Sequence, residues 1–260
     1  MLLESIFLLT LGLVFGSFIS ALTWRVPRGM SFVKGRSICP RCKSQIAWYD
    51  NIPLFSYLAL AGKCRNCKTG ISLRYPIVEL ATALGFVTIG YFSSTLQGSP
   101  LQGVYSVLTL IYFLVVFIIL FAIFIIDLEN QIIPDSLVFS GIFIVLSYSL
   151  FIIPNSLFSI IFSGFLAASF LMLLHLITKG KGMGLGDVKF AVLGGILINL
   201  KLLPIWFLLA FLTGAIAGSI LILLGRAKMK SKIAFGPFLI IGLGLAVVFG
   251  KNITHFLGLI

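Results

Sequence analysis

From about residue 102 to residue 126 the chain passes 25 consecutive positions without a charged side chain, and seven further apolar runs of near-bilayer length accompany this one. A run of roughly 18 or more apolar residues is too long for an ordinary core helix and long enough to cross the hydrocarbon of a membrane. Inside lipid every backbone N–H and C=O must be paired within its own segment or a closed barrel. The runs here are continuous rather than alternating, so the sequence predicts helices: an all-α polytopic membrane protein. The expected crossings are about 4–23, 76–95, 102–126, 137–153, 157–178, 188–203, 205–225 and 233–258. The sixth is the weakest, because it starts at a GLGD turn, contains Gly194-Gly195 and carries Lys201, and it is expected to be short, tilted or re-entrant. Composition agrees, with 60% hydrophobic residues and a mean hydropathy of +1.17, far above a soluble domain.

The net charge of +12 comes from cations that flank the apolar runs; 17 of the 19 Lys and Arg lie at 25–74, 179–189 and 226–232. Eight crossings put all three stretches on one side, and the positive-inside rule makes that side cytosolic, with both chain ends outside. The expected partners of these cations are anionic lipid headgroups. They form no basic groove with stacking aromatics, so nucleic-acid binding is not expected. The first run has Glu4 before it and no basic segment, then Arg25 and Arg28 behind it, and lacks a convincing small-x-small cleavage site, so it reads as an uncleaved helix. The expected organisation is a first transmembrane helix (1–23), a cytosolic tetracysteine domain (24–75) and a membrane helical domain (76–260). Within the second, IPLFSYLALAG (52–62) is apolar but too short to cross and is expected to lie at the membrane surface.

All four cysteines fall in that cytosolic stretch, as Cys39-Pro-Arg-Cys42 and Cys64-Arg-Asn-Cys67 with 21 residues between the pairs. Two C-x-x-C knuckles at this spacing are the sequence mark of a four-thiolate zinc site. A loop of this size buries little surface, so metal binding supplies the folding energy its core lacks. Four sulfurs leave no open coordination position for a substrate, so the zinc is expected to be structural.

Only seven acidic residues occur in the chain, and two of them, Asp127 and Asp187, sit at joins between a basic loop and an apolar run. A carboxyl at membrane depth is costly and marks function by default. Two carboxyls that meet at one face can share a water, one polarising a scissile carbonyl while the other draws the proton from the attacking water. Asp127 ends its helix and Asp187 opens one, so the helix dipoles make Asp187 the expected base and Asp127 the acid. Gly184 and Gly186 remove side chains beside Asp187 and would let a peptide backbone approach. Asp135 reads as a helix cap after Pro134, Glu129 as a solvated charge, and Glu79 as a partner of Arg74 or a helix cap, with a supporting role at the site as the alternative. His175 and His255 read as packing residues. A proton-coupled transporter could use the same two acids as a relay, although a relay favours mid-bilayer acids and inverted repeats, and neither is visible here.

Taken together, GSFISALTWRVPRG, CPRC, DNIPLFSYLALAGKCRNCK, RYPIVELATA, IDLENQIIPD, GMGLGDVK and FGPFL make the chain resemble the type IV prepilin peptidase family. The resemblance runs through nearly the whole chain in order and spacing. It implies a GxGD-type membrane aspartyl protease with catalytic residues at the positions of Asp127 and Asp187, acting on prepilins or pseudopilins at the cytosolic face of a bacterial inner membrane. It also implies N-methylation of the new N-terminus by S-adenosylmethionine, and zinc on the four cysteines. No glycine fingerprint of a nucleotide fold follows a strand here, so the sequence names no residues for the methyl donor.

Overall fold

The computed structural model describes residues 2–31, 35–95, 103–152, 157–198, 200–226 and 233–256. Among these there are nine α-helices and no strand longer than an isolated bridge, and the chain is an all-α polytopic membrane protein. Six helices are long and apolar enough to cross a membrane, and the apolar stretch Gly236–Gly250 is shorter. The chain divides into two compact units, 1–122 and 123–260. The basic positions Lys34, Lys228, Lys230 and Lys232, on which part of the orientation argument rests, lie outside the described residues.

In the first unit, α1 (Leu2–Arg25) packs along α3 (Arg74–Thr95). Gly12 and Gly16 make this possible: a Cβ at Gly12 would lie 2.6 Å from the Ala83 Cα, and one at Gly16 2.5 Å from the Glu79 Cα. Lipid tails are as apolar as leucine, so close backbone approach through small residues takes the place of a hydrophobic driving force. The first part of α4 (Gly103–Asn130) joins the pair through Leu114, which clusters with buried Leu8 and Phe86. At the other end of the α1–α3 pair, the Arg74 guanidinium donates to the Thr23 hydroxyl at 2.6 Å and the Ser20 carbonyl at 3.3 Å. The expected surface segment forms α2 (Phe55–Ala59), and Trp48, Phe55 and Leu58 around it are 75%, 65% and 76% exposed.

In the second unit, α5 (Asp135–Ile152), α6 (Leu157–Ile177), α7 (Leu185–Leu197), α8 (Leu203–Leu223) and α9 (Gly236–Phe256) follow the end of α4. The sixth run differs from its expected bounds of 188–203. Its helix starts earlier, ends at Leu197 and has 13 residues, a length of roughly 20 Å against a hydrocarbon core of about 30 Å. Helix α7 is instead the buried centre of the unit and packs on α5, α6 and α9. Its paired glycines explain this. A Cβ at Gly195 would lie 2.7 Å from the Gly164 Cα of α6, and Gly194 receives the ring of Trp206, whose Nε1–H donates to the Leu239 carbonyl of α9 at 2.8 Å.

Candidate functional site

The cysteine segment folds as one motif used twice, 25 residues apart. In the first copy the Cys39 N–H donates to the Ser44 carbonyl at 2.9 Å and the Lys43 N–H to the Cys39 carbonyl at 2.9 Å. In the second the Cys64 N–H donates to the Thr69 carbonyl at 2.8 Å and the Lys68 N–H to the Cys64 carbonyl at 3.0 Å. Each turn closes on a left-handed lysine, Lys43 at φ 59° and Lys68 at φ 58°, and each is flanked by one antiparallel bridge, Ile38 with Gln45 and Lys63 with Gly70. A tight turn that places two thiols on one side needs this backbone twist, and here a non-glycine residue supplies it.

The two turns bring all four Sγ atoms within 4.8 Å of one another. Cys39 and Cys67 stand 3.8 Å apart, and tetrahedral Zn–S bonds of about 2.3 Å place sulfurs at about that separation. Hydroxyls at matching positions support the thiolates: Ser44 lies 2.9 Å from Cys42 and Thr69 3.2 Å from Cys67. The Thr69 hydroxyl, then its N–H, pull the Cys67 thiol down to about 6. Ser44 lowers Cys42 in the same way, and a metal ligand must be deprotonated. The donor set and its spacing fit a closed four-thiolate ion. Asp50 braces the second turn, accepting both Arg65 bonds at 2.6 and 2.8 Å, and this pairing holds its carboxyl below the ordinary range.

The two aspartates both belong to the second unit, and both are buried. Asp127 lies in the last turn of α4. The helix stops just beyond it with Gln131 in the left-handed region (φ 55°), donating its N–H to the Asp127 carbonyl at 2.8 Å. Pro134 then precedes α5. The Asp127 Oδ2 accepts the N–H of Gly236, the first residue of α9, at 2.9 Å across 109 positions. Asp187 is the third residue of α7, and its Oδ2 folds back onto the N–H of Gly184, the residue before the helix, at 3.1 Å. Each carboxylate thus takes an N–H from the start of a helix, where unpaired donors and the dipole favour negative charge.

This changes the expected asymmetry. Asp127 ends its own helix, but it also caps the positive end of α9, so the dipole of α4 does not by itself make it the acid. The glycines also act differently from the expectation of an open approach. A Cβ at Gly186 would meet Ile133 at 3.3 Å, and one at Gly236 would meet Asp127 Oδ2 at 2.6 Å and Ile133 at 3.2 Å. Ile133, buried in the loop after Asp127, therefore touches the starts of both α7 and α9. Gly184 is extended (φ −80°), and a Cβ there would stand 3.4 Å from Asp187 Oδ2.

Several contacts were not legible beforehand. Asp135 begins α5 as expected, and its carboxylate also binds Lys189 of α7 with both oxygens at 2.8 Å. His175 does more than pack, since its Nδ1 lies 2.7 Å from the Met183 carbonyl and closes the loop ahead of Gly184. Glu79 reaches the N–H of Leu54 at 2.8 Å, so it pins the 52–54 turn. Gly236 lay in FGPFL, where a Gly-Pro helix start was the available signal.

Residues 10–92 match the Bacterial Peptidase A24 N-terminal domain and residues 113–219 match the Type IV leader peptidase family. The chain is similar to proteins named prepilin leader peptidase/N-methyltransferase. That of Pseudomonas aeruginosa is 34% identical over 94% of this chain and 90% of its own length, and that of Stutzerimonas stutzeri 33% over 95% and 91%. The Aeromonas hydrophila protein is 37% identical over 85% of this chain and 73% of its own length. No solved structure matches. The transporter reading finds no support in these matches. With both halves matched in order and relatives a third identical along most of their length, the chain belongs to the type IV leader peptidase family.

Proposed function

We propose that this protein is a membrane aspartyl endopeptidase that removes the basic leader of prepilin-like substrates, with Asp127 and Asp187 as its catalytic pair. The observation that supports this is a pair of buried carboxylates at helix starts, each held through one oxygen by a glycine N–H, with Ile133 against the starts of both helices. In such a pair one proton serves both groups: the protonated carboxyl polarises the scissile carbonyl, and the ionised one takes a proton from water. The proton then passes to the leaving amine, and the peptide bond breaks. Gly184 and Gly186 support the site by keeping the start of α7 close to Asp187 and Ile133. We place the site at the cytosolic face of a bacterial inner membrane, supported by the excess of Lys and Arg at 25–74, with the cations against anionic headgroups.

The relatives' name also includes N-methyltransferase, and we extend that activity to this chain, with S-adenosylmethionine as donor and the freshly cut N-terminus as acceptor. Zinc on Cys39, Cys42, Cys64 and Cys67 stabilises the cytosolic segment, about residues 24–75, and takes no part in either reaction. Co-expression with a model prepilin tests the peptidase. Asp127→Asn and Asp187→Asn should each leave the precursor uncut at undiminished protein levels, and normal maturation in either variant would remove that residue from the pair.

A further inference from the structure

A cavity of about 630 Å³ opens in the first unit, between the Arg25 end of α1, the Arg74 end of α3 and the cysteine turns, and neither Asp127 nor Asp187 lines it. Its volume is that of a site for a nucleoside-sized ligand. Trp24, Tyr57 and Tyr75 stand in its wall, together with Ser20 and Glu79. Glu79 is 7% exposed, an unusual depth for a carboxylate on an apolar helix. One of its oxygens accepts the Leu54 N–H at 2.8 Å. The group is therefore fixed in place rather than free to swing toward solvent. Leu54 pays for that fixation with a left-handed backbone, φ 57°. The hydroxyl of Ser20 is the one buried side-chain polar atom without a partner among the described residues. Arg25, Arg36, Arg41 and Arg65 line the cavity too, with Asp50 already paired to Arg65, so beside three aromatic rings the wall suits a zwitterionic ligand with a flat heterocycle, its carboxylate toward the guanidiniums and its onium centre toward Glu79 and the rings.

We propose that this cavity is the methyl-donor site, with the carboxylate of Glu79 as the counter-charge of the sulfonium of S-adenosylmethionine and the aromatic walls as the seat of its adenine. The proposal rests on the methyl-transfer reading above and assigns it a place. In the reaction the terminal ammonium first loses a proton to solvent, and the neutral amine attacks the methyl carbon. The N–C bond forms as the C–S bond breaks, the electron pair stays on sulfur to give a neutral thioether, and nitrogen carries the positive charge away. The counter-charge therefore matters for the donor and not for the product.

That difference supplies the test. The full-length protein in detergent is titrated with sinefungin, which bears an amine cation where the donor has its sulfonium, and with S-adenosylhomocysteine, which has a neutral thioether there. Glu79→Gln keeps an oxygen for the Leu54 N–H and should weaken sinefungin roughly 10- to 100-fold while changing S-adenosylhomocysteine by less than about 3-fold, with leader cleavage intact. Equal losses for both ligands, or none, would overturn the role of Glu79. Photocrosslinking of labelled S-adenosylmethionine to the wild-type chain locates the site without any substitution: label in peptides carrying Trp24, Tyr57 or Tyr75 supports the cavity, and label confined to other peptides refutes it. If the wild-type protein binds none of the three ligands, the methyl-transfer reading fails first.

Discussion

The cysteine turns and the aspartate pair both gather groups that repel one another when charged, yet they do so over very different lengths of chain. The thiols come from two copies of an eight-residue turn, Ile38–Gln45 and Lys63–Gly70, and hydrogen bonds inside each copy fix their positions. The carboxylates come from α4 and α7, and the N–H that holds Asp127 arrives from α9, 109 positions away. A local motif forms wherever its few residues occur, whereas the assembled one depends on the packing of several helices. The first should fail by losing its ion, and the second by small displacements.

The largest effect should come from the carboxylates themselves. On the proposed roles, removing either by Asp→Asn should lower leader cleavage at least ~10²- to 10⁴-fold through loss of a general acid or base, read as precursor accumulation. Next in size is loss of the ion. Cys64→Ser, or a strong chelator, should abolish stoichiometric zinc and make residues 35–72 sensitive to protease, since metal binding and folding are one equilibrium in such modules. The helices of 123–260 should keep their protection, and their simultaneous loss would show that the two regions are not separable.

Gly236→Ala probes the assembled site with one methyl group. The added carbon would lie 2.6 Å from Asp127 Oδ2, a clash that backbone or carboxylate must relieve, at a cost of about 1–3 kcal/mol in overpacking. Cleavage should fall by roughly ten- to a hundredfold with expression retained, and an unimpaired variant would mean that the N–H bond does not position Asp127. Lys189→Ala is milder, because its pair with Asp135 is half exposed on both sides and such pairs contribute about 0.2–1 kcal/mol.

The smallest effect is one of pH. Pairing with Arg65 lowers the Asp50 carboxyl, so its contribution is fully present above the unfolded value of about 3.9 and disappears as pH falls through the lower folded value. Asp50→Asn should therefore melt below wild type at neutral pH, and the gap should close in acid. A gap that stayed constant down to pH ~2 would assign it to something other than this titration.

Much of this was open to reading in one dimension. Seven of the eight apolar runs became helices within a few residues of their expected bounds, because lipid leaves the backbone no other choice. The sixth run, expected to be short, tilted or re-entrant, became the 13-residue α7, and its central place rests on contacts that a hydropathy pattern does not contain: Gly195 against Gly164 and Gly194 against Trp206. The cysteines were legible because their ligand geometry is set within each four-residue span. Asp127 and Asp187 stood out by the expense of charge in an apolar chain, but their supports did not. Ile133 is one aliphatic residue among many, and nothing in FGPFL says which carboxylate its glycine will meet.

By itself the sequence determined that this chain crosses a membrane as helices, that four thiols converge, and that two acids had to be accounted for. Each of these follows from solvation or from short-range geometry, which composition and spacing encode directly. Only the tertiary structure decided that α7 is a buried centre, that Asp127 sits at the start of α9, and that Glu79 pins Leu54 beside a cavity. Those outcomes depend on which small residues let which backbones approach, a sum over many distant contacts that no local pattern records.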